Sequence, residues 1–514
     1  MRPWAARAMA ALLITGALGC HALIGPEGTC ADMSECDEAQ ICSGGVCVLD
    51  DATACTQQTQ EFVCGTMARC DAAGRCVAED AIIALINTPL AGSDSERSRV
   101  QTMTLKMLER ELSQEFSEFD GRKLVIEQLV GQGSAGGRLA AFTRARDLGA
   151  DVVVVFDTDT LIEAQSFFKK TSTLILGQFS NDARFDTTEF EGARGAYALI
   201  PQPRADFAMW SKHLRDEEVC QRVAAVYVAG SSSADTVVFL DEQIERHGLT
   251  NSGSFILDPQ GTPGPVVDRL TGSGADCAFL FTEIDEEPVN TVATFLTEWD
   301  RRFEAVPSEE RMRWLFVSQA RFDELRETLP GEAFDQLGRS IVVNYDVGQE
   351  RGERVLSRLR AFDAIYRPEE LPEGTPVKLD WPVIEQLSAF VSLSYDQGAL
   401  AVLALYRALA RAEGGPVRQG DVLEGFLAVN GGSPEPVACD SDSLGECFDG
   451  MLLGSEPTYA GASGGLEFGE DGRTITVDET MIFSLSDGNA NLEVTHRYSQ
   501  TDMARALATT TAPE

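Results

Sequence analysis

Asp151-Val152-Val153-Val154-Val155-Phe156 is the stretch on which the fold turns. Four consecutive β-branched residues leave no polar face, so the segment suits a strand buried on both sides, as in the middle of a parallel sheet. Upstream of it, Arg138 to Leu148 reads as a helix and Lys123 to Val130 as a strand. Further back, Val100, Met103, Leu105, Met107, Leu108 and Leu112 recur at near-helical spacing within Arg97 to Phe116, behind a first strand at Ala81 to Asn87. Downstream, a helix at Leu161 to Lys169 and a strand at Thr173 to Gly177 complete the pattern before Pro201 and Pro203. Alternation of this kind predicts a parallel sheet with helices on both faces, an α/β fold.

After those prolines the rhythm restarts. Strands are predicted at Arg222 to Val228, Gly253 to Leu257, Asp276 to Phe281, Arg313 to Val317 and Ser340 to Asn344, with helices such as Asp235 to His247 and Val289 to Phe303 between them. Long helices follow at Glu353 to Tyr366 and Ser394 to Ala412, then a Gly-rich turn and a strand pair at Gly465 to Phe468 and Thr474 to Val477. The expected organisation is a leader at 1–19, a Cys-rich segment at 20–79, one lobe from 80–203 plus 345–465, a second from 204–344 plus 466–498, and a disordered tail at 499–514.

A chain of 514 residues exceeds what one core usually fills, and 44% hydrophobic with 24% charged residues is a globular balance. Acidic residues outnumber basic ones by 81 to 42, a formal charge of −39, which repels phosphate backbones and excludes nucleic acid as a partner. With four histidines (His21, His213, His247, His496) spread along the chain, a His-rich metal site has little to draw on. No metal and no cofactor are expected.

Arg2 and Arg7 precede an apolar run from Ala8 to Ala17, and Gly16-Ala17-Leu18-Gly19-Cys20 follows at once. This resembles a bacterial lipoprotein signal, which implies cleavage before Cys20 and lipid on its sulfur, with Ala17 where Leu is more usual. The expected location is the cell envelope, periplasmic or surface, with a membrane contact through lipid alone. Cys30, Cys36, Cys42, Cys47, Cys55, Cys64, Cys70 and Cys76 form two imperfect repeats of four. So few apolar residues there build no core, and an oxidising compartment permits disulfides instead. Zinc is the rival reading, but no His lies among them and no spacing is Cys-x-x-Cys. A spacer holding the body off the membrane is preferred to a partner-binding knob. Cys220 and Cys277 flank two predicted strands and can form a bridge, and Cys439 with Cys447 would close a local loop.

Three further stretches carry a resemblance that spans about Asp80 to Tyr498. Ala84-Leu85-Ile86-Asn87-Thr88-Pro89-Leu90-Ala91-Gly92, Tyr395-Asp396-Gln397-Gly398-Ala399 and Gly461-Ala462-Ser463-Gly464-Gly465-Leu466-Glu467-Phe468-Gly469-Glu470-Asp471-Gly472 resemble the type I periplasmic binding proteins of the leucine/isoleucine/valine branch. There they match the opening strand and turn, a helix beginning Tyr-Asp-Ala, and a Gly-x-x-Gly-x-x-x-Phe-x-x-x-Gly turn. The resemblance implies two lobes closing on a small solute and a partner ABC permease. It places ligand contacts at Ser93, Thr158, Gln178 and Ser180 in the first lobe and at Ser231, Glu283 and Gln319 in the second. Asp157 and Asp159 flank Thr158, where they would repel a ligand carboxylate, so a cationic or polyhydroxyl ligand fits better; capping the next helix is the other role open to them. A sensory or partner-binding lipoprotein of the same fold is the alternative function.

Two motifs point elsewhere. Gly131-Gln132-Gly133-Ser134-Ala135-Gly136 is a literal G-x-G-x-x-G, with Asp157 placed as a ribose-binding acid would be, but another strand-helix unit precedes it. An exported dinucleotide enzyme ranks third. Gly461-Ala462-Ser463-Gly464-Gly465 fits G-x-S-x-G, yet a nucleophile elbow needs a strand before the Ser and a helix after it, and here a strand follows. No catalytic residue is expected.

Overall fold

The computed structural model describes parts of residues 40–87 and, with breaks of which 179–194 and 367–378 are the longest, residues 93–508. They fall into two compact units. In the smaller, β1 (Gln40–Ser43) pairs antiparallel with β2 (Val46–Leu49), and β3 (Ala68–Cys70) with β4 (Cys76–Ala78). Cys64 is bonded to Cys76, and Cys70 is also in a disulfide. The expected spacer is more than a run of N-terminal residues. Thr66 donates its N–H to the carbonyl of Val417, and Gly414–Arg418 belongs to this unit although it lies far along the chain. Cys20, Cys30, Cys36 and Cys55 lie outside the described residues.

The larger unit holds two doubly wound sheets. In the first, β5 (Ala81–Asn87), β6 (Leu124–Val130), β7 (Val152–Val155), β8 (Leu174–Gly177) and β9 (Ala196–Ala198) run parallel in the order β6-β5-β7-β8-β9. The four valines of β7 are all buried, as a strand covered on both faces requires. One face packs under α2 (Ala135–Asp147) and α3 (Thr158–Phe168), through Phe142, Leu161 and Phe168. The other packs under α1 (Ser93–Glu118) and a helix from far downstream.

The second sheet repeats that order and extends it. β10 (Arg222–Val228), β11 (Thr250–Leu257), β12 (Cys277–Leu280), β13 (Arg313–Phe316) and β14 (Ile341–Asp346) are parallel; β19 (Thr480–Ser486) and β20 (Leu492–Tyr498) add two antiparallel strands beside β14. α6 (Gly264–Ser273), α7 (Glu286–Phe303) and α8 (Gln319–Thr328) cover one face around Trp299 and Trp314. α4 (Pro203–Asp216) and α5 (Ser233–Arg246) cover the other, around Trp210 and Phe279. Cys220 and Cys277 are joined there, across the neighbours β10 and β12.

After β14 the chain returns to the first sheet through α9 (Gln349–Ile365) and α10 (Ser388–Ala412). Every residue from Phe390 to Leu409 is buried, so the helix is enclosed on all sides and its few polar side chains are buried with it. Gly398 allows this, since a Cβ there would lie 2.3 Å from Leu105 Cδ2 of α1. α11 (Gln419–Ala428) packs on α10, and a small sheet of β15 (Val437–Asp440), β16 (Pro457–Gly461), β17 (Gly464–Phe468) and β18 (Ile475–Val477) follows, with α12 (Glu446–Leu452) and the Cys439–Cys447 disulfide inside it.

Two sequence expectations fail here. The boundary between 465 and 466 falls inside β17, which pairs with both β16 and β18; the return to the second sheet comes at Thr480. The expected disordered tail contains α13 (Gln500–Ala508), whose Met503 and Ala506 are buried in the second lobe. Ser499 and Asp502 bond reciprocally at its start, Asp502 N–H to Ser499 Oγ at 3.3 Å and Ser499 N–H to Asp502 Oδ2 at 3.0 Å. That is a capping box, legible in Ser-Gln-Thr-Asp, which offsets the weak apolar periodicity.

Candidate functional site

In open α/β sheets of this order, ligands lie beyond the carboxyl ends of the strands, where the strand order reverses. In the first lobe that point lies between β5 and β7. The side chains there are polar and interlocked. Asn87, the last residue of β5, donates through Nδ2 to Thr102 Oγ1 at 2.7 Å and to the Ser98 carbonyl at 3.4 Å. Gln178, just past β8, donates through Nε2 to Ser394 Oγ at 2.9 Å and Gln397 Oε1 at 3.3 Å. Gln397, on α10, donates to the carbonyls of Val155 at 2.9 Å and Leu176 at 2.6 Å, and its oxygen also accepts from Gln101 Nε2 at 2.7 Å. One carboxamide therefore ties the ends of β7 and β8 to two covering helices. The motif it belongs to has Ala at this position in the family that the sequence resembles.

Asp157 caps α3. Its Oδ1 accepts from Thr160 N–H at 2.8 Å and its Oδ2 from Thr160 Oγ1 at 2.7 Å, which answers the first-turn donors and sits favourably in the field of the helix N-terminus. Arg138 faces Glu163 through two bonds, 2.8 and 2.5 Å, and that hydrogen bonding raises its pKa further. Among the residues assigned to ligand contact by resemblance, Ser93, Thr158 and Gln319 are the first residues of α1, α3 and α8, so each stands at a helix N-terminus. Gln178 stands at its strand end, with its amide donors engaged inside the protein. Ser180, Ser231 and Glu283 lie outside the described residues. Sequence reading missed Asn87, Gln101 and Gln397 as part of this cluster, because polar residues within apolar runs give no periodic signal of what they will face.

In the second lobe a groove of about 480 Å³ opens past the carboxyl end of β11, with Asp258, Thr262, Asn290 and Thr294 around a floor of Leu257 and Val266. Among the described residues no group of three or more His, Cys, Asp or Glu is arranged to hold a metal.

The two rival motifs have structural roles. The glycine-rich turn follows β6, the outer strand of its sheet, rather than a strand at the reversal point. A Cβ at Gly136 would meet nothing within 4 Å, and Ser134 caps α2 by accepting from Gly137 N–H at 3.2 Å. Ser463 sits in a hairpin turn between β16 and β17 and is fully buried. Its hydroxyl donates to Asp396 Oδ2, its N–H does so at 2.8 Å, and Oδ1 accepts from Ala462 N–H at 2.7 Å and Tyr459 Oη at 2.6 Å. Gly461 lets this turn approach, since a Cβ there would lie 2.5 Å from Asp396 Oδ2. Burial pushes the Asp396 carboxyl above the usual range, against the pull of its four donors. The Tyr-Asp and Gly-x-Ser stretches are thus two halves of one junction.

No family model matches the chain, and no curated protein matches it in sequence. Solved structures do match in shape. A branched-chain amino acid ABC transporter protein from Thermus thermophilus with bound valine aligns at a TM-score of 0.53 and 12% identity, covering 83% of this chain and 98% of that one. A solute-binding protein from R. palustris in complex with 4-hydroxybenzoate gives 0.52 and 11%, covering 82% and 96%. A fatty acid ABC transporter substrate-binding protein from Thermomonospora curvata also gives 0.52 and 11%, covering 83% and 94%. The chain has the two-lobed type I periplasmic-binding-protein fold.

Proposed function

We propose that this chain is an extracytoplasmic solute-binding lipoprotein, the receptor of an ABC importer for a small polar solute such as an amino acid or a related compound. The observation that carries the reading is the pair of sheets with one strand order, connected by three chain crossings, the arrangement in which ligands lie beyond the carboxyl ends of the strands. The similar solved structures bear names of binding proteins rather than enzymes. Ser93, Thr158, Gln178, Ser180, Ser231, Glu283 and Gln319 are the proposed contacts. Residues 1–19 are the proposed signal, with lipid on Cys20 as the only anchor; among the described residues no helix is long and apolar enough to cross a membrane.

Thermal unfolding against pooled amino acids, amides, polyamines and sugars tests the receptor reading. A receptor at a hundredfold excess of ligand over Kd gains about 2.7 kcal/mol of apparent stability. The second reading, a sensory or partner-binding lipoprotein, is favoured by the internal engagement of the Gln178 amide. It expects no gain from any pool. Labelled fatty acid incorporated into the parent but not into Cys20→Ala tests the anchor.

A further inference from the structure

We propose that the first-lobe strand ends select a protonated amine, of the diamine or polyamine class and without a carboxylate, through the acceptor oxygens of Asn87, Asp157 and Gln178. This rests on the receptor reading above. The three residues end neighbouring strands: Asn87 closes β5, Asp157 lies two residues past β7, and Gln178 follows β8. Each offers only acceptor capacity.

The orientation of both carboxamides is dictated by what they face. Asn87 Nδ2 faces the Ser98 carbonyl, which can only accept, so its nitrogen must lie on that side. Gln397 must turn its nitrogen to the carbonyls of Val155 and Leu176, which leaves its oxygen towards Gln178 and obliges Gln178 to present nitrogen there. What remains is Asn87 Oδ1 and Gln178 Oε1. Neither has a partner among the described residues, although the side chains are only 2% and 0% exposed. A buried carbonyl left without a donor is costly, so two of them, at the ends of β5 and β8 on either side of β7, point to a donor that completes them.

The third strand end adds charge. Asp157 places its carboxylate at the start of α3 and takes the Thr160 amide, in the field where a helix N-terminus would otherwise receive a ligand carboxylate. Asp159 lies in the same turn, and the nearby cation Arg138 is engaged by Glu163. Among the described residues, a ligand carboxylate at this helix start would therefore face the carboxylates of Asp157 and Asp159. An ammonium group brings three N–H donors and a charge of the right sign, and shielding of the two carbonyls from water strengthens their contact with it. The formal charge of −39 on the chain also raises the local concentration of cations.

The test is calorimetric titration of the mature full-length chain at constant ionic strength. Putrescine and spermidine are the probes, with L-leucine, L-valine, 4-hydroxybenzoate and glucose as comparators. Saturable amine binding is expected, weakened at least tenfold by Asp157→Asn, which keeps a capping oxygen while removing the charge, and by Gln178→Leu. If a comparator binds and the amines do not, the amine class is overturned while the receptor reading stands. If nothing binds, the amine class is overturned, and the receptor reading falls with it when the wider solute pools also give no stabilisation. Amine affinity unchanged in Asp157→Asn, a variant expected to fold, would overturn the assignment to these strand ends.

Discussion

Strand order is common to the two lobes, but the layers that cover them differ in chemistry. Over the first sheet, α10 reaches the strand ends with Ser394 and Gln397, and Gln101 of α1 meets them there. Over the second, the covering layers are rings: Trp210 stands edge-on to Phe279 at 5.1 Å and to Phe483 at 4.5 Å, and Trp299 to Trp314 at 5.3 Å. Ring packing holds a sheet by buried area and edge-on contacts in its middle. Carboxamide bonding holds particular strand ends in particular places, which is what a recognition surface needs. The first lobe is thus specified at its edge and the second through its centre.

The largest way to break the contrast is Asp396→Ala, which leaves two N–H and two O–H groups without their acceptor inside the protein. A loss of about 3–5 kcal/mol is expected in urea denaturation. A variant as stable as the parent would mean that the junction between α10 and the β16–β17 turn is idle. Gln397→Ala is the next test. It uncouples the ends of β7 and β8 from α10 and should cost about 2 kcal/mol, with faster amide exchange at residues 153–157 and 175–178 and none in the second lobe. Exchange that rises equally in both lobes would deny the edge its local role.

Acid should act on the second lobe instead. His213 is stacked on Phe483 at 4.1 Å with Tyr498 Oη 3.1 Å from its Nδ1. Burial, reinforced by His496, pushes its pKa down to about 3, and burial brings His247 to about 4. A base whose folded pKa lies below the unfolded value of about 6.5 keeps its contribution above that pH and loses it as the pH falls. For His213 the slope is about 1.4 kcal/mol per pH unit down towards pH 3. Urea midpoints should fall from about pH 6.5 down to 4.5, and the fall should become shallower, though not flat, in His213→Phe, where His247 still contributes; a flat parent profile would refute it. The smallest expected effect is Ser463→Ala, about 1 kcal/mol, with no change in ester hydrolysis. Ester turnover abolished by that change would restore the nucleophile reading.

Most of the fold was legible because burial writes itself as composition. Ala81–Asn87 and Arg222–Val228 match their predicted strands end to end, since both are apolar runs bounded by polar residues. The Cys220–Cys277 bridge was legible because each Cys adjoins a strand and those strands are neighbours. The site was not. Gln397 meets carbonyls more than 200 positions earlier in the chain, and a backbone carbonyl leaves no trace in the sequence of which side chain will find it. In sequence Asp157 fits both an anion-repelling and a capping role, and only the position of Thr160 in space shows that it caps.

The burial of α10 has a consequence for biosynthesis. The last strand of the first sheet is complete at Ala198, but the helix that fills its underside arrives only with Ser388–Ala412, after all five parallel strands of the second sheet have been made. A nascent chain therefore carries an open apolar trough for nearly 200 residues of elongation. During that interval β5 to β9 are exposed to aggregation. A holdase that shields the stretch until α10 docks should matter more to the yield of this protein than any property of its finished state.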